Sequence, residues 1–287
     1  MSRSSHPTLP RLLVDRLVGS ALDEDLGRAG DITSEATIDS AATANAVIAS
    51  RQDGVVAGLP FVEAAFEALD PDMNIRLETA DGTNVSAGTV VCRIEGNARA
   101  LLAAERVALN FLMHLSGIAT LTSTYAAEIA HTDAKLCCTR KTTPGLRAAE
   151  KYAVRCGGGT NHRFGLDDAV LIKDNHIAVA GSVAGAIGAA RQHVGHLVKV
   201  EVEVDTLQQL EEALAAEPDA VLLDNMDVET LRQAVAINAG RAVLEASGNI
   251  DLGTIRAVAE TGINYVSTSK ITMAAPPLDV GLDIEVV

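Results

Sequence analysis

Apolar and polar positions follow two different rhythms along this chain. Beyond residue 130, short apolar runs alternate with Ala-rich stretches of helical period. Residues 135–139, 169–173, 197–204, 220–224, 242–246 and 264–268 read as strands, and 182–192, 207–216, 228–237 and 252–261 read as helices between them. Repeated βα units with apolar strands predict a parallel sheet, either closed as a barrel or doubly wound. Before residue 115 the rhythm is less regular. Residues 31–33 read as a loop, 46–50 and 54–58 as strands broken by a turn, 60–69 as a helix opened by Pro60, and 81–95 as a strand pair with Gly turns. Residues 99–130 carry a long helical pattern that Gly117 is expected to break. Strands beside helices without regular alternation predict a small α+β sandwich.

Polar residues at the strand ends favour the barrel. Arg140 and Lys141, Lys173, Glu203 with Asp205, Asp224, Glu245 with Ser247, and Ser269 with Lys270 close successive apolar runs. In a barrel these ends converge on one mouth, whereas an open sheet spreads them along a line. No G-x-G-x-x-G follows the first strand of any unit, which weakens a dinucleotide site. The expected class is therefore α/β. A (β/α) barrel, complete or open, covers residues 116–273, and an α+β sandwich covers 1–115 and is joined by the tail 274–287. The 81–95 segment has the look of a biotinyl or lipoyl carrier hairpin, but no lysine stands at its tip, so a carrier role is rejected.

Charge changes this picture at one place. The chain has a formal net charge of -15, yet seven basic residues fall between Arg140 and Lys173: Arg140, Lys141, Arg147, Lys151, Arg155, Arg163 and Lys173. Only Glu150, Asp167 and Asp168 oppose them. Such an island suits a small polyanion, because guanidinium forks pair carboxylates and phosphates while lysines supply point charge. The acidic balance argues against nucleic acid as a partner, and aromatics at 2% argue against base-stacking platforms. No apolar run approaches the roughly 18–20 residues of a membrane span, and residues 1–10 lack a signal-peptide pattern. Cys92, Cys137, Cys138 and Cys156 form no C-x-x-C pair. Buried free thiols are expected, with Cys137 and Cys138 on opposite faces of a strand, in a reducing cytoplasm.

The candidate residues each have a chemical reason. Adjacent Arg140 and Lys141 at a strand end repel one another unless an anion serves both. His162 adjoins the guanidinium of Arg163. Lys173 ends an apolar run. Glu203 and Asp224 could hold Mg²⁺ or accept from sugar hydroxyls. Asp205 before Thr206 suits helix capping. The turns around Ser247–Gly248 and Ser269–Lys270 suit a phosphate nest, while Gly157-Gly158-Gly159 alone reads as a sharp turn. Cations for a dicarboxylate or pyrophosphate, with carboxylates and Ser-Gly turns for a ribose phosphate, point to phosphoribosyl transfer onto an acidic acceptor.

The motifs T-R-K-T-T-P-G-L-R, E-K-Y-A-V, G-G-G-x-x-H-R, L-I-K-D-N-H, E-V-E-V-D, L-L-D-N, E-A-S-G and P-P-L-D-V-G-L resemble the quinolinate phosphoribosyltransferase family, over nearly the whole chain and in order. The resemblance implies conversion of quinolinate and phosphoribosyl pyrophosphate to nicotinate mononucleotide, pyrophosphate and CO₂ with Mg²⁺. It implies a homodimer in which Arg106 completes the neighbour's site. Arg106, Arg140, His162, Arg163 and Lys173 would surround quinolinate, with Thr139 at the same strand end. Lys141 would meet pyrophosphate, with Lys173 close to both substrates. Glu203 and Asp224 would serve ribose and metal, and Ser247 and Gly248 the 5′-phosphate. The chain departs from the family in the last phosphate-binding turn, where Ser269 replaces a common glycine and Met273 a histidine or glutamine; Lys270 would compensate by charge. A Schiff-base lyase using Lys173, a divergent family paralogue and a non-catalytic anion-binding module are the alternatives.

Overall fold

The computed structural model describes residues 8–285, so residues 1–7 of the segment read for a signal peptide lie outside it. In chain order the strands are β1 (Thr43–Ser50), β2 (Gly54–Val55), β3 (Asn74–Leu77), β4 (Asn84–Val85), β5 (Val90–Asn97), β6 (Lys135–Cys137), β7 (Val170–Ile172), β8 (Val200–Val204), β9 (Ala220–Asp224), β10 (Val243–Ser247), β11 (Tyr265–Ser267) and β12 (Val280–Glu285). They fall in two compact units. One comprises the chain up to Ser123, Thr143–Gly158 and the tail from Ala275; the other comprises Thr124–Thr142 and Gly159–Ala274.

The first unit is built on an antiparallel sheet in the order β12-β1-β5-β3. In β1, Ala44, Ala46, Ile48 and Ser50 are buried and their neighbours are not, the period-2 signature of a sheet with one covered face. Asp81 accepts from the backbone N–H groups of Gly58 (3.0 Å) and Leu59 (3.2 Å), and so caps the helix Leu59–Leu69. The Tyr152 hydroxyl donates to the same carboxylate at 2.6 Å.

Three local expectations fail here. Residues 81–95 are not a hairpin: β4 pairs with β2, and β5 pairs with β1 and β3. Residues 31–33 are not a loop, because Asp31 caps a helix Ile32–Thr37 by accepting from Thr33 and Ser34 N–H, each at 3.1 Å. Gly117 does not break the long helix, which runs unbroken over Ala98–Ile129. A Cβ on Gly117 would lie 2.2 Å from the Pro276 carbonyl oxygen, so the glycine admits a crossing chain. Gly157 likewise lies where a Cβ would meet the Ala119 carbonyl at 2.3 Å. The helix Ala98–Ile129 is long and apolar enough to cross a membrane by length and composition, but 61% of its most apolar window is buried within the protein. It serves as a core helix.

The second unit holds a six-stranded parallel sheet in the order β6-β11-β10-β9-β8-β7. The predicted strands are all present, shorter than expected at most ends. Helices Val183–His193, Leu207–Ala215 and Val228–Asn238 match their predicted spans, while 252–261 contracts to Ile255–Ala259. Beyond β6, Thr160 adds one parallel bridge to Cys137. Among the described residues β6 and β7 do not pair with each other, so the hydrogen bonding defines a mixed α/β fold with a parallel sheet rather than a closed barrel. All four cysteines are buried and free. Burial pushes the Cys92 and Cys156 thiols up to about 12, which keeps them protonated and unreactive.

Candidate active site

Strand register decides which side chains share a face. Leu171 pairs with Glu201, Glu203 with Leu222, Leu222 with Glu245, Asp224 with Ser247, and Glu245 with Tyr265. Because parallel neighbours in register point the same way, Leu171, Glu201, Glu203, Leu222, Asp224, Glu245, Ser247, Tyr265 and Ser267 line one face. The other face carries Ile172, Val200, Val202, Val204, Val221, Leu223, Leu244, Ala246 and Val266, all buried. One face is thus hydrocarbon core and the other carries the chemistry.

A cavity of about 750 Å³ opens on the polar face. Thr139, Arg140, Lys141, His162, Arg163, Lys173, Glu203, Asp224, Ser247, Gly248, Ser269 and Lys270 all line it. Arg106 lies in the other unit, exposed on the helix Ala98–Ile129 and 3.8 Å from the Glu105 carboxylate. The cationic island divides in the same way: Arg140, Lys141, Arg163 and Lys173 border the cavity, while Arg147, Lys151 and Arg155 stand on the helix Arg147–Cys156 of the first unit.

Charges in the cavity are paired unequally. Lys173 Nζ meets Glu203 Oε2 at 2.5 Å, with the lysine half exposed and the carboxylate mostly covered. Arg163 donates from Nη1 to the Ala169 carbonyl at 2.9 Å, and its Nε finds no partner among the described residues. Burial, then the neighbouring Arg140, pushes the Arg163 guanidinium below its ordinary pKa. Two crowded guanidinium groups beside a cavity favour an anion that can fork to both.

The carboxylate side has its own scaffold. The Asn225 side-chain amide donates to Asp224 at 2.6 Å, and the Asn249 amide donates to Asn225 Oδ1 at 2.9 Å. Asn225 and Asn249 adopt left-handed φ values of 54° and 53°, which Asn tolerates better than most residues. Gly248 has φ 95°, and a Cβ there would lie 2.2 Å from Asn225 Oδ1. Burial, followed by repulsion from Asp205, raises the Asp224 pKa, against which Lys173, Asn225 and Lys141 act. Mg²⁺ usually takes one or two carboxylates and fills its shell with phosphate oxygens and water. The donor set fits that ion at Asp224, where a divalent cation would relieve the repulsion from Asp205. At Glu203 the charge is already answered by Lys173.

Glu201 escaped the strand-end reading, and Glu245, which that reading names at a strand end, was given no role in the site. His162 Nε2 lies 3.1 Å from Glu201 Oε2 and 3.7 Å from Glu245 Oε1. These three groups lie close enough to hold a metal. However, His162 Nδ1 accepts the Arg163 backbone N–H at 2.7 Å. That assigns the proton to Nε2, facing the acids, and makes His162 and Glu201 a hydrogen-bonded pair with Glu245 beside it. The missed signal was alternation: Glu201 precedes Glu203 by two in a strand and must share its face.

The chain matches the models of the quinolinate phosphoribosyl transferase N-terminal domain over residues 31–116 and C-terminal domain over residues 118–283. It is 42% identical to a probable nicotinate-nucleotide pyrophosphorylase [carboxylating] of Bacillus subtilis, over 95% of this chain and 94% of that protein. It is 42% identical to the nicotinate-nucleotide pyrophosphorylase [carboxylating] of Mycobacterium leprae, over 92% and 94% of the two chains. The solved structure of the nicotinate-nucleotide pyrophosphorylase from Francisella tularensis superposes with a TM-score of 0.93 at 41% identity, over 97% of this chain and 98% of that one.

Proposed function

The chain belongs to the quinolinate phosphoribosyltransferase family, and we infer that its cavity carries out that family's reaction. The enzyme transfers the phosphoribosyl group from phosphoribosyl pyrophosphate to quinolinate with decarboxylation, giving nicotinate mononucleotide, pyrophosphate and CO₂ for NAD biosynthesis. The observation that carries this reading is the single polar face whose cavity is lined by the cations Arg140, Lys141, Arg163 and Lys173, by the carboxylates Glu203 and Asp224, and by the Ser247–Gly248 turn.

Arg140, His162, Arg163 and Lys173 hold the two carboxylates of quinolinate and aim its ring nitrogen at C1′. Lys141 neutralises charge on the departing pyrophosphate. Glu203 and Asp224 receive the ribose hydroxyls, while Ser247 and Gly248, with Ser269 and Lys270, receive phosphate. Asp224 would be the main holder of a Mg²⁺ ion, which would supply Lewis acidity toward the leaving group. Once ribosylated, the ring nitrogen carries a positive charge that stabilises the electron pair left by the 2-carboxylate. No covalent bond to the protein is needed, which separates this reading from a lyase using Lys173. The reading includes a cytoplasmic homodimer in which Arg106 reaches the partner's site, and a sheet that forms the wall of an incomplete barrel. Support for the latter comes from the convergence of the strand ends on one cavity.

The direct test supplies quinolinate, phosphoribosyl pyrophosphate and Mg²⁺, with nicotinate as a parallel acceptor. Release of CO₂ and nicotinate mononucleotide from quinolinate alone is expected. Turnover with nicotinate, or none with either, overturns the assignment of the acceptor.

A further inference from the structure

The transfer of the phosphoribosyl group makes no use of Glu245, yet this side chain is buried and lines the same cavity. Its Oε1 finds no hydrogen-bond partner among the described residues. The overall reaction leaves one task unassigned: when CO₂ departs, the ring carbon beside the nitrogen holds an electron pair and must gain a proton. We propose that Glu245 is the acid that delivers it. The proposal rests on the reading above that quinolinate is the acceptor.

The step balances without a further reactant. The bond from the ring carbon to the 2-carboxylate breaks and CO₂ leaves. The electron pair remaining on the ring carbon takes the proton from the Glu245 carboxyl as its O–H bond breaks. Glu245 is left as a carboxylate and regains a proton from water once product has left.

Glu245 stands apart from Lys173, His162 and the arginines of the cavity as a proton carrier. Lys173 is engaged by Glu203 at 2.5 Å, and the His162 Nε2–H is engaged by Glu201 at 3.1 Å. Arginines hold their protons too tightly. Glu245 instead has an unengaged oxygen and a carboxyl raised to about 7 by burial and by Glu201, against the opposing pull of His162 and a Ser267 hydrogen bond. A general acid serves best when its pKa lies near the working pH. The charged groups facing it are Glu201 and His162, with Arg140, Lys141, Arg163, Lys173, Lys270, Glu203 and Asp224 lining the same cavity.

Single-turnover kinetics separate the two halves of the reaction. In Glu245→Gln, which keeps shape but has no acidic proton, pyrophosphate release should keep the wild-type rate. Formation of nicotinate mononucleotide should slow by about 100-fold or more, the usual contribution of a general acid. Equal slowing of both steps, or no change in either, overturns the proposal. Should the variant fold poorly, the wild type provides the second test. Its product-forming step should fall about tenfold per pH unit above about 7 while pyrophosphate release does not follow; parallel profiles overturn the assignment. A wild-type enzyme that makes no nicotinate mononucleotide from quinolinate would instead refute the function itself.

Discussion

Lys173 and Glu203 stand on adjacent strand ends with Nζ and Oε2 2.5 Å apart. Half of the lysine side chain is open to solvent, so the pair contributes at most about 1 kcal/mol to stability. On the proposed function its value lies in placement, because each partner holds the other beside the cavity. Lys173→Met should lower kcat/KM for quinolinate by two orders of magnitude or more while shifting the unfolding free energy little. Glu203→Gln should cost less. The double variant should be non-additive by roughly 0.5–3 kcal/mol on kcat/KM, as for residues in contact. Strict additivity in the cycle would show that the pair does not act as a unit.

Glu245 also makes stability depend on pH. Its carboxyl is raised to about 7 in the fold from an ordinary 4.5. Between those values the native state binds more protons than the unfolded chain, so stability is greatest below about 4.5 as far as this group is concerned and falls as pH rises to about 7. Above that the contribution is level. In urea unfolding, Glu245→Gln should gain relative to wild type on moving from pH 5 to pH 8. An unchanged difference at the two pH values would mean that the Glu245 carboxyl is not raised.

Much of this site could be read from the chain, and the failures have physical causes. Arg140, Lys173, Glu203, Asp224 and Ser247 were visible because apolar runs ended in polar residues. Glu201 was not, because it sits inside its run rather than at the end, and only the Val-Glu-Val-Glu-Val alternation puts it on the face of Glu203. Nor could local sequence show that residues 84–85 pair with 54–55 rather than with the strand that follows them. That choice depends on tertiary packing. The island of cations looked continuous because chain distance conceals the assignment of 143–158 to the first unit.

Gly117 illustrates propensity losing to sterics. In a helix interior, Gly→Ala ordinarily gains up to about 1 kcal/mol. Here the added Cβ would sit 2.2 Å from the Pro276 carbonyl oxygen and 3.0 Å from Pro277 Cα, both backbone atoms. Overpacking of this kind costs about 1–3 kcal/mol. Gly117→Ala should therefore lower the urea midpoint. A raised midpoint would show that the crossing segment yields freely.

On the proposed function, Lys270 is expected to replace backbone contact with charge in the turn after β11. Ser269 precedes a single helical turn, Lys270–Met273, and Met273 is exposed. Lys270 lines the cavity and is held by Asp251 at 3.3 Å, each side chain about half exposed. A solvated pair this loose can be exchanged for a phosphate at little cost. Lys270→Ala should raise the KM for phosphoribosyl pyrophosphate severalfold and leave that for quinolinate unmoved. Asp251→Asn, which releases the lysine, should leave the KM for phosphoribosyl pyrophosphate unchanged or lower it. If Lys270→Ala leaves that KM unaltered, the ammonium takes no part in phosphate binding, and the turn must hold its ligand through the backbone despite the side chain at Ser269.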